Sequence, residues 1–242
     1  MANTVRLFCP AAIHCPGAIT AVIFEVDGTL LDSGEAIVQA FQYSFHKNNL
    51  ASPPRLALMK LAGQSAPTRV KSLLNAMHLR CTREKTGKVT RDAVTALAGG
   101  FFVAYGRQMP GALQALSSLH SLGAKLGVVT NSPKKHALIR LKAFGLDRFF
   151  NQMLAIEDIA KEKPDPSSLK KILFKLRTPA GNALYVGDSS IDVKYAKSAG
   201  GVRVALLSNN HNSKVKADYT LASLTDLADI VTQSHAICQK NN

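Results

Sequence analysis

The chain has 242 residues, 46% of them apolar and 19% charged, a balance that fits a globular protein and excludes a fibrous or disordered polymer. No apolar run approaches the roughly 20 residues that a membrane-spanning helix needs, and 30 Lys and Arg against 16 Asp and Glu leave a net charge of +14. Such a field draws anions of every kind, whether phosphorylated metabolites, nucleic acids or acidic membranes, and does not choose among them.

The first 17 residues, MANTVRLFCPAAIHCPG, hold a single Arg and an apolar patch broken by prolines. They lack the continuous apolar stretch of about 7 to 15 residues of a secretory leader and are expected to form a loose extension. AVIF (21–24) reads as a buried strand that stops at Glu25 and Asp27, followed by Gly28 and Thr29. From 34 to 106 the patterns EAIVQAFQYSFHKN, RVKSLLNAMHL and RDAVTALAGGFFVAY are helical, with no strand among them. This helical insertion is strongly basic, with 11 Lys and Arg against 3 acidic residues between 34 and 107. Pro110-Gly111 marks the return to a sheet. KLGVVT (125–130), ALYV (183–186) and VRVALL (202–207) are the next strands, separated by helical HALIRLKAF, SLKKILFKL and IDVKYAKSAG. Strands alternating with helices imply an α/β fold, a Rossmann-like parallel sheet covered on both faces. The expected organisation is an extension over 1–17, a sheet core over 18–33 and 107–242, and the all-helical insertion over 34–106. The end of the chain beyond Ile230 is expected to fray. Cys9, Cys15, Cys81 and Cys238 show no metal-ligand spacing, so reduced thiols and a cytoplasmic setting are expected.

In an open parallel sheet, ligands bind beyond the carboxyl ends of the strands. Glu25 and Asp27 follow the first strand and Thr130-Asn131-Ser132 the second. Gly187-Asp188-Ser189-Ser190-Ile191-Asp192 follows the third, and Lys163 lies in the loop KEKPDPSSL. Carboxylates crowded in one crevice raise each other's pKa values unless a cation joins them. Magnesium suits such an all-oxygen site, because it takes one or two carboxylates together with water and phosphate oxygens. Lys163 and Thr130 then offer a positive charge and a hydroxyl donor to phosphoryl oxygens. Any one of these acidic turns alone is ordinary turn chemistry; their succession at strand ends is what points to a site.

With these motifs in place, the sequence resembles the haloacid dehalogenase superfamily, in its phosphoglycolate phosphatase-like branch with a helical cap. The resemblance rests on FEVDGTLLDS, VVTNS, KEKPDP and YVGDSSIDVKYAKSAG, and it runs from residue 18 to about 231. It implies a magnesium-dependent phosphatase acting on a small phosphorylated metabolite through a carboxylate nucleophile. Glu25 then occupies the nucleophile position. Asp27 is the general acid and base, and its backbone carbonyl is a magnesium ligand. Thr130 and Asn131 bind the phosphoryl group, Lys163 neutralises charge beside the nucleophile, Asp188 holds the metal and Asp192 orients that shell.

The departure is Glu25, which stands where the family places an Asp. One extra methylene displaces the carboxylate by roughly 1 Å, and a misplacement of that size can cost on the order of a hundredfold in rate. A slow phosphatase, an altered but active one, and a catalytically inactive phosphate-binding protein are the readings this leaves, with a phosphosugar mutase as a further alternative. Substrate choice is expected to lie in the insertion, where Arg55, Lys60, Arg69 and Lys71 are candidates to grip a carboxylate or second phosphate, and Gly63 resembles a cap-loop glycine. The histidines, among them His46, His78, His120, His136, His211 and His235, read as surface or packing residues. A nucleic-acid module is the competing class, supported by charge and by RCTREKTGKVTR (80–91), but no aromatics interleave those cations for base stacking. No membrane partner is expected, and the chain is expected to be a monomer or homodimer.

Overall fold

In the computed structural model, which describes residues 17–61, 63–208 and 215–240, the alternation of apolar runs becomes a single parallel sheet. Its strands are β1 (Ala21–Phe24), β4 (Lys125–Val129), β5 (Gln152–Leu154), β6 (Ala183–Gly187), β7 (Arg203–Leu207) and β8 (Tyr219–Leu221), in the order β5-β4-β1-β6-β7-β8. The chain lays β4 and β5 on one side of β1 and then crosses to lay β6, β7 and β8 on the other. The crevice at that reversal opens beyond the carboxyl end of β1, where ligands bind in folds of this kind. Registers that pair Phe24 with both Val128 and Val186 bring the ends of three strands level.

Both faces of the sheet are buried, so the strands are apolar throughout rather than alternating. Val22, Phe24, Val128 and Val186 face one layer built from α6 (Ala112–Ser121), α7 (Lys134–Ala143) and α10 (Leu227–Lys240). Ala21, Ile23, Tyr185 and Val204 face the other, built from α8 (Ser167–Leu176) and α9 (Ser190–Ser198). Gly127 in β4 is required by this packing, because a Cβ there would lie 2.9 Å from the Ile172 Cδ1.

Between β1 and β4 lies the insertion: α1 (Gly34–Lys47), α2 (Arg55–Lys60), α3 (Ala66–Ala76), α4 (Arg83–Ala96) and the short α5 (Phe102–Tyr105). Phe41, Phe45, Leu58, Val70, Leu73 and Val89 form a hydrophobic cluster of their own there. A two-stranded ribbon, β2 (Leu31–Asp32) against β3 (Arg107–Gln108), carries the chain into and out of it. Asp92 ties α4 to α1, accepting from Lys47 Nζ at 2.9 Å, Asn48 Nδ2 at 2.8 Å and Lys88 Nζ at 3.4 Å.

Two expectations are corrected here. The segment beyond Ile230 continues as helix α10 to Lys240, anchored where Ile19 N donates to Ser234 Oγ at 2.9 Å, rather than fraying. Cys81 is a free thiol, but Cys238 is disulfide-bonded, against the expectation of reduced thiols. The expected extension, apart from Gly17, lies outside the described residues together with Cys9, Cys15 and His211.

Candidate active site

Glu25 is the first residue beyond β1, with its N–H donating to Val186 O of the neighbouring strand at 3.0 Å. Its side chain is 4% exposed. Oε1 accepts the N–H of Val26 at 2.7 Å, and Oε2 is ion-paired with Lys163 Nζ. That ammonium, itself buried, also meets Asp192 Oδ1 at 3.0 Å and Tyr185 Oη at 2.9 Å. One cation thus serves two buried carboxylates, an arrangement worth keeping because an unpaired buried charge is costly. Burial alone would push the Asp192 carboxyl up; the Lys163 charge and hydrogen bonds from Ser189, Lys163 and Tyr185 outweigh it and hold the group below its usual value. Ser189 and Asp192 also form a reciprocal cap at the start of α9, which fixes the carboxylate relative to the sheet.

Asp27 has a different neighbourhood, which the sequence did not disclose. Arg140, on the buried side of α7 and 1% exposed, grips it with both terminal nitrogens: Nη1 bonds to Oδ1, and Nη2 donates to Oδ2 at 3.2 Å. Ser33 Oγ donates to Oδ1 at 2.7 Å and Ser132 Oγ to Oδ2 at 2.8 Å. Burial raises the Asp27 carboxyl, but the Arg140 guanidinium and the hydroxyl hydrogen bonds more than reverse that, so it stays below the ordinary carboxylate range. Arg140 also stacks on Phe102, with its Cζ 5.5 Å from the ring centre. The only hint in the sequence is that Arg140 stands next to Leu141 and three residues after Ala137, on the stripe that α7 turns to the sheet.

Asp188 follows β6 and accepts Thr29 Oγ1 at 3.3 Å. Burial, and then the nearby Asp192 charge, push its carboxyl up to about 7, because crowded buried carboxylates disfavour one another's charge. Gly28 faces it with a φ of +84°, and a Cβ there would lie 2.4 Å from Asp188 Oδ2. The backbone between Glu25 and Thr29 is therefore pressed close to Asp188, as a cation cradle requires. Among the described residues no three His, Cys, Asp or Glu side chains gather as a metal cluster. The oxygen donors that could hold a magnesium ion are the Glu25 and Asp188 carboxylates and the Asp27 carbonyl, of the hard oxygen type that magnesium takes together with water.

Thr130 and Asn131 follow β4. Thr130 Oγ1 accepts Ser132 N at 3.1 Å. The Asn131 side chain is a bridge: Oδ1 accepts Lys163 N at 3.1 Å, and Nδ2 donates to Gly63 O of the insertion at 3.0 Å. Beside it Glu162 accepts Ser65 N at 3.1 Å and bonds to the Thr68 hydroxyl, so adjacent residues Glu162 and Lys163 hold the insertion and Glu25 respectively. A cleft lies between the sheet and the insertion, with Glu25, Asp27, Thr130 and Asn131 on one wall and Arg69 on the other. Of the sequence candidates, these four and Lys163 come together directly, and Asp192 joins them through Lys163. Asp188 meets them across Gly28 and Thr29. Arg140, Ser33, Tyr185 and Glu162 were not foreseen, and Ser132, named with its strand end, gains its bond to Asp27. His136 lines the same cleft, with its Nδ1 buried and unpartnered among the described residues.

The sequence signature of the haloacid dehalogenase-like hydrolases matches residues 22–207. A phosphoglycolate phosphatase of Rhodospirillum rubrum is 31% identical over 214 residues, covering 87% of this chain and 88% of that protein. The pyrophosphatase PpaX of Halalkalibacterium halodurans is 28% identical over 219 residues, covering 88% and 97%. Among solved structures, a predicted phosphoglycolate phosphatase from Haemophilus somnus superposes with a TM-score of 0.77 at 25% identity, covering 88% of this chain and 98% of that one.

Proposed function

The chain belongs to the haloacid dehalogenase-like hydrolases, and from that membership we propose that it is a magnesium-dependent phosphatase of small phosphorylated metabolites, such as phosphoglycolate or a sugar phosphate. The observation that carries this reading is the meeting of Glu25, Asp27, Thr130 and Asn131 in one cleft, with Lys163 bonded to Glu25. On this reading the helices of 34–106 act as a cap over a core formed by 18–33 and 107–242. Magnesium, when bound, supplies the charge that offsets a phosphoryl group; Glu25, Asp188 and the Asp27 carbonyl are the residues to hold it.

Glu25 Oε is the nucleophile in this proposal. It bonds to phosphorus as the ester P–O bond breaks, and the leaving oxygen takes a proton from Asp27. Water then attacks the phosphorus, Asp27 takes its proton, and Glu25 is released with inorganic phosphate. Dividing one displacement into two lowers each barrier. Lys163 pairs with the Glu25 carboxylate, while Thr130 offers a hydroxyl to phosphoryl oxygens.

A second reading, a phosphate-binding protein without turnover, is favoured by two observations. Glu25 is spent on Lys163 and Val26, and Asp27 is spent on Arg140. Magnesium-dependent phosphate release from p-nitrophenyl phosphate and phosphoglycolate, by this chain and by Glu25→Asp, separates the two. A phosphatase gives measurable release that rises on the order of a hundredfold in the Asp variant. No release by either protein, with the phosphate compounds still bound, favours the binding reading instead.

A further inference from the structure

Of the four cations of the insertion that the sequence offered for substrate recognition, three face solvent. Arg55 is exposed and paired with Glu35, and Lys60 and Lys71 are exposed. Arg69 is different. It sits in the first turn of α3 and is 6% exposed, with its guanidinium over the Phe41 ring at 5.1 Å from the centre. Nε donates to Leu61 O at 3.3 Å, and Nη2 to Leu61 O at 3.2 Å and Gln64 O at 3.3 Å. Nη1 has no hydrogen-bond partner among the described residues, and Arg69 lines the cleft. No carboxylate is hydrogen-bonded to Arg69 there; the Asp27 charge acts on it within the cleft but is already held by Arg140, and a buried cation without a close counter-ion is costly. Its neighbours in the cleft wall on the same side, Ile37, Phe41, Val94 and Leu97, are apolar and offer it none.

Resting on the phosphatase reading, we propose that Arg69 is the specificity-determining residue of this site and takes a second anionic group on the substrate, a carboxylate or a second phosphoryl group, on the insertion side of the cleft. The transferred phosphoryl group lies opposite, against Thr130 and Lys163. The substrate class is then a compact phosphate compound with two anionic ends, and a phosphate monoester with an uncharged remainder is a poor ligand. The carbonyls of Leu61 and Gln64 aim the guanidinium, and its charge persists at neutral pH because burial lowers its pKa only to about 10.

The test compares phosphoglycolate, pyrophosphate and ethyl phosphate in magnesium buffer, read as kcat/KM where the protein turns them over and as Kd where it does not. The native chain is expected to prefer at least one dianionic-ended ligand over ethyl phosphate by tenfold or more, and the preferred one identifies the second group as carboxylate or phosphoryl. In Arg69→Gln, which can still donate to the loop carbonyls but is neutral, that ratio falls toward one; in Arg69→Lys part of it returns. A native ratio near one, or an unchanged ratio in Arg69→Gln with all three ligands weakened equally, overturns the inference and leaves the phosphatase reading standing. Failure of all three ligands to react or bind removes both.

Discussion

Arg140 and Asp27 form a two-pronged ion pair in which the arginine is almost wholly buried and the aspartate still faces the cleft. This pair sets the charge state of the residue proposed both to give and to take a proton. A carboxylate saturated by a guanidinium and two hydroxyls is well prepared as a base and poorly prepared as an acid.

Replacing Arg140 with Met should therefore destabilise the protein by about 3 kcal/mol at neutral pH, because one partner of a buried pair is removed and the other is left charged. The native Asp27 carboxyl lies below its unfolded value, so its stabilising contribution is present above about pH 4 and is lost as pH falls through the lowered native value. In the variant only burial and the hydroxyls remain. The stability gap between the two proteins should be widest near pH 7 and should narrow as acid protonates Asp27. Urea unfolding at pH 7 and at about pH 2 measures it; an equal gap at both values refutes the assignment.

Lys163→Met leaves Glu25 and Asp192 buried without their shared cation, the first held only by the Val26 N–H and the second by Tyr185 and Ser189. A loss of about 3 to 5 kcal/mol is expected, larger than for any surface lysine. Thermal unfolding beside an exposed control such as Lys60→Met provides the comparison.

Magnesium should raise the unfolding temperature of the native chain, since a ligand at ten times its Kd adds about 1.4 kcal/mol. Asp188→Asn should abolish that rise, and chelation should reverse it in the native protein. Persistence of the full shift in the Asn variant would place the metal elsewhere.

Asp92 joins α1 and α4 and has its carboxyl drawn down to about 2 by hydrogen bonds from Asn48 and Lys47, opposed by a little burial and aided by Lys88. Because the group is near the surface, screening limits its worth to about 1 kcal/mol or less. The folded value is the lower one, so this contribution is complete above about pH 4 and disappears as pH falls toward 2. Asp92→Asn should lower stability slightly at pH 7 and have no further effect at pH 2, as followed by circular dichroism in urea.

The main strands were legible because each is a four- or five-residue apolar run with turn residues at its ends; AVIF coincides with β1. Strands β5 and β8, three residues each, and the two-residue ribbon were not, because segments so short have no periodicity to read. Helix α2 was missed for the same reason. Glu25, Asp27, Thr130, Asn131, Lys163 and Asp188 could be named because they sit at strand ends or in motif loops. Arg140 could not, since a cation inside HALIRLKAF looks like any solvated helix residue until the helix's rotation about its axis is known. Tyr185 was hidden within an apolar strand, and Glu162 gained its role only when a loop of the insertion came to rest on it.

Glu162 and Lys163 are separated by one peptide bond, yet the first fastens Ser65 and Thr68 of the insertion and the second neutralises Glu25. Any hinging of the helices away from the sheet must tug on the same short strap that presents the ammonium. An outward swing of those helices would therefore load the ion pair at Glu25 as well as the contacts at Ser65 and Thr68, which makes this two-residue strap the mechanical link between them.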